Sequence, residues 1–293
     1  MVDQDTDVRD IEAVRGGRAW VDLSERRAIR VSGTDAIGWL HDLLTADIAG
    51  LVAGAACRSL LLTPTGYIRA DVHVVRRDDD VMLIQDRRQD EDIRVALEPY
   101  VLSADVRLDD ASDELAIFAL PGRVTAPDGL PGFSVSALGA GVDVVVPATS
   151  VASARDAMAA AGSHEVGHDV AEAWRIDRGV PRMGADFGRR SLPAEAALDH
   201  VIDRTKGCFL GQESIARIGN LGHPPRVLRH VRGDAPIVAG SIVRDGDDDV
   251  GEVTSSALID ARSVALVRVS WSAANARLTD IDGHPLRDAE PPG

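Results

Sequence analysis

Lys206-Gly207-Cys208-Phe209-Leu210-Gly211-Gln212-Glu213 is the stretch from which the rest of this chain is read. Lys206 is the only lysine in a protein that otherwise uses arginine, and it stands two residues from one of only two cysteines. An amine kept where arginine is habitual points to a need for a compact, titratable ammonium. The glycines let the backbone turn sharply into a helix over 212–218, with Ile215 and Ile218 on one face. Cys208 then lies just before a helix start, where free N–H groups, the helix dipole and Lys206 all favour a reactive thiolate. The competing reading is a small buried side chain, because free cysteines are among the most buried residues. Exposure decides between the two. Cys57, flanked by Ala55, Ala56 and Arg58, is expected in the core.

Outward from that stretch, the patterning is α+β. Toward the N-terminus, an acidic and mobile start precedes a short strand at 28–31 and a helix capped by Thr34 that carries Ile37, Leu40 and Leu44. An antiparallel meander follows: strand 60–62, the turn Thr63-Pro64-Thr65-Gly66, strand 67–75 and strand 81–84. Helix 91–97, strands 106–108, 115–120 and 142–146, and helices 151–161 and 170–176 lack a regular βαβ rhythm, which favours antiparallel sheets over a doubly wound fold. After Gly222-His223-Pro224-Pro225 the chain turns into short β-rich stretches at 227–231, 242–244, 250–254 and 264–271, the pattern of a small barrel or sandwich. A domain boundary is placed near Pro225, and the tail 290–293 is expected to fray.

Composition bounds the function. The chain has 293 residues, 45% of them hydrophobic, and a formal charge of −15. Such a charge argues against direct nucleic-acid binding, since phosphate contact needs clustered Lys and Arg. The acidic start does not resemble a signal peptide, and no apolar run is long enough for a transmembrane helix, so a cytoplasmic protein without membrane attachment is expected. Two distant cysteines hold neither a disulfide framework nor, alone, an iron–sulfur cluster, and no metal site is expected. Gly139-Ala140-Gly141 lacks the third glycine of a dinucleotide loop, and Asp245-Gly246-Asp247-Asp248-Asp249 reads as a hairpin turn, not a calcium loop.

Lys206 to Glu213 and its continuation Ser214-Ile215-Ala216-Arg217 resemble the Lys-Gly-Cys-Tyr-x-Gly-Gln-Glu signature of the YgfZ/T-protein family of folate-binding proteins, with Phe209 where tyrosine is usual. The segment 175–184, Arg-Ile-Asp-Arg-Gly-Val-Pro-Arg-Met-Gly, and Leu192-Pro193-Ala194-Glu195-Ala196 are similar to the family's central region. Ser32 to Asp35 with Trp39 to Asp47, and Leu61 to Asp71, are similar to its N-terminal segments, although Ala46 replaces the usual asparagine.

The resemblance implies a GcvT/YgfZ-like ring of two interleaved antiparallel-sheet α+β domains over residues 1–225, plus a small C-terminal β-barrel over 226–293. It implies tetrahydrofolate, or a one-carbon derivative, in a central channel. It also implies a role in the assembly or repair of iron–sulfur enzymes and in tRNA modification, with a tRNA-methylthiolating enzyme as a candidate partner. Carried onto this chain, Cys208, Lys206 and Asp71 become the catalytic candidates. Asp177, Arg175, Tyr67, Gly207, Gly211, Gln212, Glu213 and Arg217 become the cofactor-binding candidates. A carboxylate at Asp177 suits the aminopyrimidine edge of a pterin because it accepts two N–H bonds at once; otherwise it is a helix-surface acid paired with Arg175 or Arg178. T-proteins carry paired aspartates where this chain has Ala70-Asp71, which speaks against aminomethyl transfer. By itself Asp71 reads as a solvated residue on the polar face of a strand with Tyr67, Arg69 and His73. Arg182, Arg189, Arg190, Arg204 and Lys206 are candidates for an anionic-ligand site suited to a folate glutamate tail, against the commoner reading that such arginines only balance nearby Asp and Glu. Whether the protein turns over a substrate stays open: the rivals to the iron–sulfur role are a glycine-cleavage-type aminomethyltransferase and a non-enzymatic folate-binding scaffold.

Overall fold

The computed structural model describes residues 8–133 and 135–289, without the side chains of Val8 and residues 218–221. The acidic start 1–7, the tail 290–293 and the Ile218 side chain therefore lie outside the described residues.

The first sheet is antiparallel throughout, with Ala56–Leu62, Ile68–Arg76, Val81–Gln85, Arg27–Ser32 and Arg107–Asp110 side by side in that order. Side chains alternate across it, as the pleat requires. Leu61, Val72, Val74 and Leu83 pack under the helices Ala36–Leu43 and Ile93–Leu97. Leu60, Leu62 and Ile68 face the other way, toward Met183, Phe187, Phe209 and Ile215. Thr34 does not cap the helix as the sequence suggested. Its N–H and hydroxyl both donate to Asp105, and the cap position falls to Asp35. Asp92 does cap its helix, accepting from Arg94 N at 2.8 Å.

The second sheet runs His164–Glu165, Ala19–Asp22, Leu115–Pro121, Gly141–Pro147, Gly132–Phe133, with one parallel pair between the first two strands. Helix Val151–Ala160 covers its outer face through Ala154 and Met158 against Trp20, Phe118 and Val144. Its inner face shares one core with Ala28, Val75 and Ile84 of the first sheet and with Trp174 on helix His168–Asp177. The chain thus crosses between the two sheets twice. Helix Val8–Arg15 and strand Ala19–Asp22 begin the second sheet, and residues 27–110 complete the first before the chain returns. That helix and strand were not anticipated, because two turns of helix and four residues of strand are too short for periodicity to declare itself.

The third sheet orders Leu278–Thr279, Ile242–Asp245, Asp248–Ile259, Arg262–Ser270, Arg226–Gly233 and Arg287–Asp288. A bridge between Thr279 and Pro285 brings its two edges together into a nearly closed barrel filled by Val231, Val243, Val253, Val267 and Leu278. The 245–249 run is a hairpin turn as expected, with Asp245 paired to Asp248.

A buried acid is central to the fastening of the barrel to the rest. Asp186, its side chain fully buried, accepts from Thr254 and Ser255 at a bulge in the Asp248–Ile259 strand, from Arg175 and from the backbone N–H of Arg182. No helix among the described residues is long and apolar enough to cross a membrane.

Candidate ligand cavity and the signature loop

Strand Ala56–Leu62 is an edge of the first sheet, and beside it opens a cavity of about 970 Å³. Cys57, Arg58 and His73 line it from the first sheet, Ser136, Gly139 and residues 178–181 from the second unit, and the loop 197–204 closes it. The barrel stands just behind this wall. Gly179 has φ +67°, and a Cβ there would lie 2.9 Å from His230 Nδ1, so only glycine allows the close approach. Arg58, Arg178 and Arg204 bring positive charge to the lining, while Asp47, Asp199 and Asp203 bring negative.

Asp71 is buried, not solvated. Arg58 grips it bidentately, Nε to Oδ1 at 2.9 Å and Nη2 to Oδ2 at 2.6 Å, and also donates to Pro181 O. Burial opposes the charge, but the Arg58 guanidinium outweighs it and holds the Asp71 pKa below the ordinary carboxylate value. The Gln89 amide pairs with the Asp71 backbone on both sides. His73, two residues on, is pushed down to about 3 by burial and then by Arg26, so it presents a neutral imidazole. This corner supplies fixed hydrogen-bonding groups, with no proton-transfer group poised near neutrality.

Asp177 is also buried, and its partner is neither Arg175 nor Arg178. Its Oδ1 accepts from Arg232 of the barrel at 3.1 Å, and Oδ2 has no protein donor among the described residues. Arg175 departs from the expectation of a cofactor contact. It is 2% exposed, and all five N–H groups are taken by Glu172, Val180 O, Asp186 and Ser255. Burial works against its charge, yet Glu172 and Asp186 raise its pKa above the ordinary value. No donor is left for a ligand.

The signature loop is an anchor more than a pocket. Lys206 Nζ donates to the carbonyls of His41, Leu44 and Ala46 at the end of helix Ala36–Leu43, a cation on the negative pole of that helix. Burial draws its pKa down to about 8 against the pull of Asp47, Asp42 and Asp203, and its charge reaches the Cys57 thiol. Phe209 is buried beside Leu60 and Ile215, where loss of a phenol hydroxyl costs nothing. Gly211 has φ +85°, and a Cβ there would lie 2.6 Å from Thr63 O; Ser214 donates to Pro64 O. The loop therefore clamps the 63–66 turn. Gln212 is half-buried, while Gly207, Glu213 and Arg217 are exposed, and none of these four lines the large cavity. Tyr67 is exposed and likewise outside it.

Cys208 is exposed, four residues ahead of helix Gln212–Leu221, on the loop and outside the cavity wall. Cys57 is the thiol on that wall, and burial pushes its pKa up to about 11, which keeps it protonated. The cavity residues missed in the sequence are Arg58, Cys57 and Arg178. The signal for Arg58 was available in the alternation Arg58-x-Leu60-x-Leu62 opposite Asp71 and His73, once the register Arg58↔His73 is known.

Residues 3–125 match the family model of the GCVT N-terminal domain. In sequence the chain is similar to "Putative transferase At1g60990, chloroplastic" of Arabidopsis thaliana, at 27% identity over 86% of this chain and 64% of the relative. It is also similar to the aminomethyltransferase of Streptomyces avermitilis, at 27% identity over 84% of this chain and 76% of the relative. The chain thus spans less than two thirds of the Arabidopsis relative. Its fold matches that of glycine cleavage system aminomethyltransferase T from Bartonella henselae, with a TM-score of 0.79 at 19% identity over 96% of this chain and 88% of that one. The structural match shows that the chain has the aminomethyltransferase fold.

Proposed function

We propose that this is a cytoplasmic folate-binding protein whose ligand, tetrahydrofolate or a one-carbon derivative, occupies the large cavity between the first two sheets. The observation that carries the reading is the cavity itself. Its volume, about 970 Å³, lies at the upper end of small-molecule sites, and its wall carries Arg58, Arg178 and Arg204 together with Asp47, Asp199 and Asp203 and neutral hydrogen-bonding groups. Arg178 and Arg204 suit the carboxylates of a folate tail. Asp177 precedes Arg178 but does not itself line the cavity, so a pterin contact for it is supported by the family resemblance and not by the cavity wall.

Within that reading, the role we favour is support of iron–sulfur enzymes and of tRNA modification, with Cys208 acting toward a partner from the surface. Two features favour it over aminomethyl transfer: the single carboxylate at Asp71 is clamped by Arg58, and the signature thiol is exposed on an outer loop. The aminomethyltransferase reading keeps the support of the named relatives.

Titration of the protein with 5-formyltetrahydrofolate, followed by tryptophan fluorescence, tests the ligand. Saturable binding that Arg178→Glu weakens at least about tenfold is expected for a charge-assisted contact. Absence of saturable binding by any reduced folate overturns it. The finer role is tested by tRNA methylthiolation in a bacterial strain lacking its own YgfZ. Rescue by the native chain and failure of Cys208→Ala are expected; rescue by both makes the thiol dispensable.

A further inference from the structure

Behind the large cavity, and sharing Arg58, His73, Val180 and Pro181 with it, lies a second cavity of about 50 Å³. At roughly 10–15 Å³ for each water-sized position, it holds on the order of three or four non-hydrogen atoms. Its wall is charged. Most of those charges already have partners: Asp71 is held by Arg58, and Glu172 by Arg175 and Arg182. Asp86 accepts from the backbone N–H of Arg88, and Glu25 is exposed.

Arg88 is exposed as well, which leaves Arg26 as the buried exception. It lines this cavity, is 8% exposed, and its guanidinium donates to no protein acceptor among the described residues. Arg182 lines the same cavity, and its Nε is likewise buried without an acceptor. A buried guanidinium left without an acceptor is costly, because its desolvation is uncompensated. Asp71 and Asp143 feel the Arg26 charge but neither accepts a bond from it: Asp71 is committed to Arg58, and Asp143 accepts from Ala137 N. The unmet demand is for a small acceptor that brings one negative charge and two oxygens in a plane, the shape that a guanidinium fork meets bidentately.

We propose that the cavity around Arg26 is a binding site for a small planar monoanion of formate or acetate size, held by the Arg26 fork with Arg182 Nε as a further donor. The site is distinct from the large cavity and does not depend on what that cavity binds. A carboxylate seated there is separated from a large-cavity ligand by one layer of side chains, Arg58 and His73 among them.

The test uses the full chain in chloride-free buffer, titrated with sodium formate while the arginine Nε–H resonances and the Tm are followed. Sodium gluconate at equal ionic strength serves as the bulky-anion control. Formate is expected to shift the Arg26 and Arg182 Nε–H signals saturably and to raise the Tm, with gluconate doing neither. Arg26→Gln is expected to weaken formate binding at least about tenfold, the usual size of a lost charge-assisted pair. The resonance measurement needs no variant, so it stands even where Arg26→Gln does not fold. Signals that formate leaves unmoved, or that gluconate moves equally, would mean ordered water alone satisfies Arg26 and would overturn the proposal.

Discussion

Two buried aspartates respond to pH in opposite senses, and their partners decide which way. Asp71, gripped by Arg58, has a folded-state pKa below the unfolded value of about 3.9. Its contribution is present above that pH and is lost as pH falls through the folded value. Asp143 is buried with Oδ1 unpartnered, and burial raises its pKa to about 6 despite the Ala137 N–H. Here the native state holds the proton more tightly, so stability is lost as pH rises from about 4 through 6. Asp143→Asn, which keeps an acceptor for Ala137 and removes the charge, is expected to stabilise the protein at pH 7 by about 2–3 kcal/mol and not at pH 4. Asp71→Asn is expected to destabilise at pH 7 by about 3–5 kcal/mol, because it leaves the Arg58 charge without its counterion. Urea unfolding at the two pH values measures both, and an equal effect of Asp143→Asn at each would refute the burial argument. The sequence marked Asp71 but not its condition. Its clamp comes from a diagonal cross-strand neighbour, and the diagonal is unknown until the register is.

At the scale of the element, Lys206 decides how the signature is understood. Its ammonium closes the end of helix Ala36–Leu43 through three carbonyls, which ties residues 206–215 to a helix more than 160 positions earlier. Lys206→Met should therefore act on stability. A loss of about 2–4 kcal/mol is expected from several charge-assisted bonds to partly buried carbonyls. The rate at which iodoacetamide alkylates Cys208 in the folded variant should change less than about twofold, since thiolate fraction governs that rate and Lys206 is committed elsewhere. Alkylation slowed tenfold with stability unchanged would restore the tuning role suggested by the spacing. That spacing showed that the loop matters; it did not show what Lys206 touches, because the partner is backbone and carries no residue signature. The same asymmetry runs through the fold. The first sheet was legible because its strands are short apolar runs bounded by turns rich in Gly, Pro and Asp. Ala19–Asp22 was not, since four residues declare no period and the strand owes its place to neighbours at 115–121 and 164–165.

For the molecule as a whole, the arrangement of three sheets depends on polar contacts that are satisfied only together. Helix His168–Asp177 sends Arg175 to Asp186 and Ser255, and Asp177 to Arg232, so one helix end holds the barrel by one hydrogen bond and one ion pair. The bulge between Val253 and Ser255 presents two consecutive hydroxyls to one carboxylate oxygen. In a regular strand those side chains would point to opposite faces. Asp186→Ala would remove one of the two carboxylates that face the buried Arg175, leaving Glu172 alone, and would take from Ser255, Thr254 and the Arg182 N–H their shared acceptor. The expected loss is about 3–5 kcal/mol. It should be felt at the junction first: amides of 175–186 and 253–256 should exchange faster, while those within the barrel core at 264–269 keep their protection, because the Val231, Val253 and Val267 core does not involve Asp186. Since Val180 and Pro181 also form walls of both cavities, loosening this junction should weaken reduced-folate binding even though Asp186 lines neither. Uniform acceleration of exchange across all three sheets would instead mean that they unfold as one unit, and that Asp186 contributes only to global stability.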